Sequence, residues 1–230
     1  MYKLFGVNAE YLIDHAWGYE PCTIADIKAY APKSSSVSTG QVLTKPYTNA
    51  AARVVVKEMA DQLSAELFTR GLLTRAITLT VGYDASFLQD EQAAQAFTGE
   101  VTVDFYGRAV PRHAHGTKAL PLFTASSRAL MEAAAELFDR ITDARLPIRR
   151  ITLCAAEVMS EDEYRAAPKQ LDMFSMPLQA EEKEEREREA QEAEQKIKQK
   201  YGKNAIFKGM SLGEDATARL RNGQIGGHKA

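Results

Sequence analysis

Between Ser34 and Val158 the apolar period of this chain switches from two to 3.6 and back again, twice. Few folds accept that order. SSSVSTGQVLT (34–44) alternates, is rich in Ser, Thr and Val, and predicts a strand. NAAARVVVKEMADQLSAELFTRGL (49–72) predicts a long amphipathic helix, with Val55, Val56, Met59, Leu63, Leu67 and Phe68 as its stripe and Gly71 as its C-cap. TRAITLTVGYD (74–84) sets Ile77, Leu79 and Val81 against Thr78 and Thr80, as a strand does. TKALPLF (117–123) predicts a short strand and IRRITLCAAEV (148–158) a closing one. SSRALMEAAAELFDRITD (126–143) lies between them and predicts a helix capped by Ser126 or Ser127, with Leu130, Ala134, Leu137 and Ile141 on one face. Residues 86–116 are long for a connection and read as a short helix plus a hairpin-like excursion. The order βαββαβ predicts an α+β domain, a four-stranded sheet with two helices on one face.

The flanks differ in kind. Residues 1–18 already carry Leu4, Phe5, Leu12, Ile13 and Trp17 near helical spacing, with no capping residue before them. A chain that opens inside its own pattern is expected to be part of something longer, with Trp17 in the core of that part or at its junction with the next. Residues 19–32 hold two prolines and read as a linker. In EEKEEREREAQEAEQKIKQK (181–200) acidic residues lead and basic ones follow, which suits a helix dipole. That helix has almost no apolar face before Ile197 and is expected to stand solvated. The tail after it is rich in Gly and Asn, and without a partner surface it is expected to be mobile.

Composition narrows the class. With 230 residues, 45% of them hydrophobic, the chain can bury one ordinary core plus appendages. The net charge of −2 gives no global basic field. The two cysteines, Cys22 and Cys154, offer neither a disulfide framework nor a metal pair, so a reducing cytoplasm is the expected compartment and no membrane partner is expected. Cys154, in an apolar strand, reads as a small buried hydrophobe. His113 and His115 share a strand face but lack a third ligand, so no metal site is expected there.

If both helices cover one side of the sheet, the other side is open. Ser34, Ser36, Ser38, Gly40, Arg75, Thr78, Thr80, Lys118, Arg149 and Thr152 are the residues the pattern offers for it. Hydroxyls, a glycine and a few cations suit phosphate oxygens, and the absence of aromatics argues against base stacking on the sheet. DNA-backbone contacts are expected from Ser36, Ser38, Gly40, Arg75, Lys118 and Arg149. Of the adjacent Arg149 and Arg150 only one should matter, because neighbouring strand residues point to opposite faces.

KQLDMF (169–174) places Leu171, Met173 and Phe174 in solvated surroundings where no period continues. An exposed peptide of this kind fits a preformed apolar cleft on a partner, with Gln170 bonding at the rim. Read together, FGVNAEYLIDHAWGYEPCTIADIKAY, SSSVSTGQVLTKPY, PRHAHGT, PIRRITL and KYGKNAIFKGMSL…RNGQIGGHKA resemble the C-terminal half of bacterial Y-family translesion DNA polymerases, of the UmuC/DinB-like type of Gram-positive bacteria. The resemblance covers essentially the whole chain. It implies that residues 1–18 end a thumb domain, 19–32 link, 33–160 form the little finger that lies on DNA, 161–177 carry a clamp-binding loop, and 178–230 form the charged helix and tail. It makes Gln170, Leu171, Asp172, Met173 and Phe174 similar to the Gln-Leu-x-Leu-Phe peptide for the sliding clamp, with Met173 in place of the second Leu.

The same resemblance assigns nucleotide transfer to two Mg2+ ions on palm carboxylates, which precede the thumb in this family. Asp14, Asp26 and Asp104 stand isolated here, without a paired-acid motif, so the chain alone is expected to hold no cofactor and to be inactive as a polymerase. A free-standing ferredoxin-like nucleic-acid-binding regulator, or a scaffold protein, is the alternative.

Overall fold

The computed structural model describes residues 1–30, 36–167, 178–225 and 228–229. The chain divides into two units, Met1–Ser34 and Ser35–Ala230. The first holds three short helices, α1 (Tyr2–Phe5), α2 (Asn8–Ala16) and α3 (Ile24–Ala29). Gly6, at φ +56°, breaks the single N-terminal run the period predicts. The expected linker contains α3, because Thr23 and Asp26 close a reciprocal capping box. Trp17 is 86% exposed in this chain, not core.

The second unit is built on β1 (Val37–Tyr47), α4 (Asn49–Thr69), β2 (Leu72–Tyr83), β5 (Ala114–Thr124), α6 (Ser127–Ile141) and β6 (Ile148–Ser160). Between β2 and β5 lie α5 (Glu91–Ala96) and a small hairpin of β3 (Val101–Val103) and β4 (Ala109–Pro111). The main sheet runs β1-β6-β2-β5, antiparallel throughout. This is the βαββαβ sheet that the alternating periods predict. β1 ends at Tyr47 and β5 starts at Ala114, so both reach three residues beyond the expected bounds. The core lies on one side only. Val55, Met59, Leu63 and Leu67 of α4 and Leu130, Leu137 and Phe138 of α6 meet Ile77, Leu79, Val81, Ile151 and Leu153 of the two central strands. Each such side chain contributes roughly 1.5–3 kcal/mol on burial, so this interface dominates stability. Arg53 forks onto Asp139 across the two helices, but both side chains are more than a third exposed and the pair adds at most about 1 kcal/mol.

At Gly116 the side chains of α6 pack close against the sheet. It pairs with Leu79, and a Cβ there would stand 2.8 Å from Ile141 Cγ2 and 3.2 Å from Leu137 Cδ1. Gly116→Ala should therefore overpack the core by about 1–3 kcal/mol, read as a lower thermal midpoint.

α7 (Glu161–Ala166) follows β6 directly, started by a capping box between Ser160 and Glu163. α8 (Leu178–Tyr201), α9 (Ala218–Asn222) and the pair β7 (Gln224–Ile225) and β8 (His228–Lys229) complete the chain. The charged helix does not stand alone. Gln191 donates to Ser64 Oγ at 2.7 Å and to Ala125 O at 3.1 Å, Ser126 donates to Glu187, and Arg188 pairs with Glu161 at 2.5 Å. A helix without an apolar stripe thus docks through polar groups. The tail is docked too. Glu58, only 4% exposed on α4, accepts at one oxygen from Thr217 N (2.8 Å), Thr217 Oγ1 (3.2 Å) and Ala218 N (3.1 Å). Arg221 donates to Thr39 Oγ1, and burial lowers its pKa while Glu58 opposes the shift. Glu58→Ala leaves these donors without their acceptor, a loss of about 1–3 kcal/mol. Amide exchange should then accelerate through residues 203–222 while the strands stay protected; unchanged protection in the tail would refute the latch.

Candidate nucleic-acid interface

The strand pairings set the open face in rows. Ser38, Cys154, Thr78 and Thr117 stand side by side across the four strands. Gly40, Thr152, Thr80 and His115 form the next row, and Val42, Arg150 and Gly82 the one after. With strands about 4.8 Å apart, the rows are about 14 Å wide. Thr78 and Thr117 share a hydrogen bond at 2.9 Å, and Thr80 Oγ1 lies 2.9 Å from His115 Nδ1. These same-face bonds hold the hydroxyls in place and leave a flat surface of small groups. Gly82 keeps it flat beside Arg150, whose Cβ would lie 3.3 Å from a Cβ on that glycine.

Several sequence assignments move. Ser38, Gly40, Thr78, Thr80 and Thr152 lie on the open face as expected; Ser36, one residue before β1, continues their alternation; Ser34 falls outside the described residues. Lys118 does not lie there. It pairs with Ile77, points to the helix side, and forms an ion pair with Glu136 of α6. Arg75 has the parity of Ile77 and Leu79, and its guanidinium lies 5.8 Å from the centre of the Phe123 ring. Cys154 is on the open face because Leu153 and Ala155 take the helix side. His113 precedes β5, so it does not share a strand with His115.

The arginine pair needs a separate account. Ile148 and Ile151 are both fully buried although three residues apart, because the register of β6 shifts between its partners Gly82 and Tyr83. A bulge of this kind puts two residues opposite one. Arg150 pairs with Val42 and Gly82 on the open face, and Arg149 occupies the bulge with its Nε 3.7 Å from Asp84. The rule of opposite faces therefore fails at this point. Arg150 has no carboxylate partner among the described residues. The signal was legible as two apolar residues at spacing three inside a strand of period two.

The model of the impB/mucB/samB family C-terminal domain matches residues 34–173, from before β1 to past α7. The chain belongs to that family. Among curated proteins none matches. Of the solved structures, the little finger domain of PolIV in complex with the beta-clamp processivity factor is similar at 9% identity and a TM-score of 0.36, over 60% of this chain and 98% of that one. An insertion ternary complex of Dbh DNA polymerase is similar at 15% identity and a TM-score of 0.32, over 69% of this chain and 38% of that one. The peptide Gln170, Leu171, Asp172, Met173, Phe174 lies outside the described residues. Its flanks are described: α7 ends at Ala166, α8 begins at Leu178, and the Arg188–Glu161 pair ties the two helices together. Among the described residues no helix is long and apolar enough to cross a membrane.

Proposed function

We propose that this chain is the DNA- and clamp-binding C-terminal part of a Y-family translesion polymerase of the UmuC/DinB-like type, serving damage bypass in the cytoplasm. The observation that carries the DNA half is the open face. Its rows of Ser, Thr and Gly let a phosphate backbone approach closely, and Arg150 supplies a cation that no carboxylate among the described residues neutralises. Apart from the His115 imidazole, which Thr80 holds, the rows carry no ring on which a base could stack, so the face contacts any sequence alike. The clamp half rests on the peptide itself. Leu171, Met173 and Phe174 would fill an apolar cleft, each contributing roughly 1.5–3 kcal/mol before ordering costs are subtracted, for a net affinity near micromolar.

Asp14, Asp26 and Asp104 do not suit two-metal chemistry. Asp26 is spent on its capping box and Asp104 on Arg108, and Asp14 is exposed on α2 without a paired acid beside it in sequence. We assign no nucleotidyl transfer to these residues and place the Mg2+ sites of the reaction in a palm domain. The DNA reading is tested by anisotropy on a labelled blunt duplex across a salt series. With one or two phosphates neutralised, log K should fall with log salt with a slope of about −1 to −2, the same for unrelated sequences. Strong preference for one sequence would refute it.

A further inference from the structure

The hairpin of β3 and β4 exposes an apolar tip that the fold does not use. Val101 and Val103 of β3 are 47% and 72% exposed, and Phe105 and Tyr106 in the turn after it are 97% and 77% exposed. The tip is nonetheless firmly built. Asp104 Oδ1 accepts from the backbone N–H of Tyr106 and of Arg108, both at 2.9 Å, and its other oxygen pairs with the Arg108 guanidinium at 2.7 Å. Gly107 takes φ +77° to close the turn. The Phe105 and Tyr106 rings meet edge to face at 5.4 Å, and the Arg108 guanidinium lies 5.2 Å from the Tyr106 centroid. Two rings and a planar cation are thus fixed together in solvent.

Position and charge decide the occupant. β2 enters this excursion after Tyr83 and β5 leaves it at Ala114, so the hairpin springs from the sheet end that carries Arg150 and His115. It stands at that end of the sheet, next to the row of Val42, Arg150 and Gly82. Four residues offer too little area for a stable protein interface, which needs about 800 Å² per partner. Arg108 is engaged by Asp104 and Arg112 by Glu100, so the hairpin adds little net attraction for phosphate. Its contribution must come from stacking, which requires a base not already stacked in a duplex.

We propose that the Phe105–Tyr106 tip is a stacking platform for unpaired bases, placed where a duplex lying on the open face gives way to single strand. The inference rests on the nucleic-acid reading of that face. The test uses the full chain and two labelled substrates, a blunt duplex and the same duplex with a short single-stranded overhang. The overhang should bind tighter by about five- to 150-fold per stacked base. That advantage should survive added salt, because it is not electrostatic. Phe105→Ala with Tyr106→Ala should erase it, while blunt-duplex affinity and the thermal midpoint stay unchanged. Arg150→Ala should weaken both substrates alike.

Equal binding of the two substrates by the unaltered chain overturns the proposal. So does an overhang advantage that the double variant retains, and so does a chain that binds neither. A double variant that moves no nucleic-acid affinity overturns it as well. If the overhang effect holds but the blunt duplex is not bound, the platform stands and the open-face reading fails.

Discussion

Leu171→Ala combined with Phe174→Ala should abolish clamp binding and leave the thermal midpoint where it was. That pair of results is the largest effect expected from any change in this chain. On the proposed clamp reading the two side chains anchor the peptide, and together they would carry roughly 3–6 kcal/mol of gross burial against a net affinity near micromolar. Losing a hundredfold or more takes binding out of calorimetric range. Gln170→Ala removes directed hydrogen bonds and no anchor, so it weakens binding less than loss of Phe174 alone. The neighbouring structure supports the independence of the two readouts. Among the described residues the core is built mainly from α4, α6 and the sheet, and the flanking helices have their own attachments, through the Ser160–Glu163 box and through Gln191 and Arg188. If Leu171 and Phe174 instead patched the edge of the domain, the double variant would melt several degrees lower, and the clamp reading would fail.

The architecture was legible because each element announces itself by a local period. Ile77, Leu79 and Val81 alternate, and Val55, Met59, Leu63 and Leu67 repeat every four; a sheet with one covered face is the simplest way to bury both sets. Parity was harder, since it depends on where a strand begins and whether it slips. Polarity alone puts Lys118 on the open face. On β5 the helix side runs Gly116, Lys118, Leu120, and the lysine is accommodated by Glu136 at the margin of α6. Its aliphatic stem can cover apolar surface while the ammonium reaches outward. The docking of the charged helix and of the tail has no periodic signature at all. Gln191 to Ser64 and Thr217 to Glu58 join residues more than a hundred positions apart, and nothing in either segment alone names its partner. Glu58 was the available clue: a carboxylate between Val55 and Met59, inside an apolar stripe, requires a donor from elsewhere.

Thr80→Glu with Thr152→Glu should abolish duplex binding, whereas Lys118→Ala should leave it unchanged. Thr80 and Thr152 are neighbours in the row Gly40, Thr152, Thr80, His115, at the middle of the sheet, so any phosphate backbone lying flat on the face passes over them. Two carboxylates there replace hydrogen-bond donors by like charges, and a loss above about tenfold, 1.4 kcal/mol, is expected from a contact supported by so few cations. Arg150→Ala should cost less and should reduce the salt slope by about one, the mark of a single lost phosphate contact. Lys118 serves as the internal control, because it differs in charge from its surroundings but faces α6. The fold should tolerate these changes, since the open face lies outside the core. The outcome that would sink the arrangement is the reverse pattern, with Lys118→Ala weakening DNA and the double glutamate binding as before. DNA would then approach from the helix side, where α4, α6 and α8 stand in its way, and the rows of hydroxyls would have no ligand to meet.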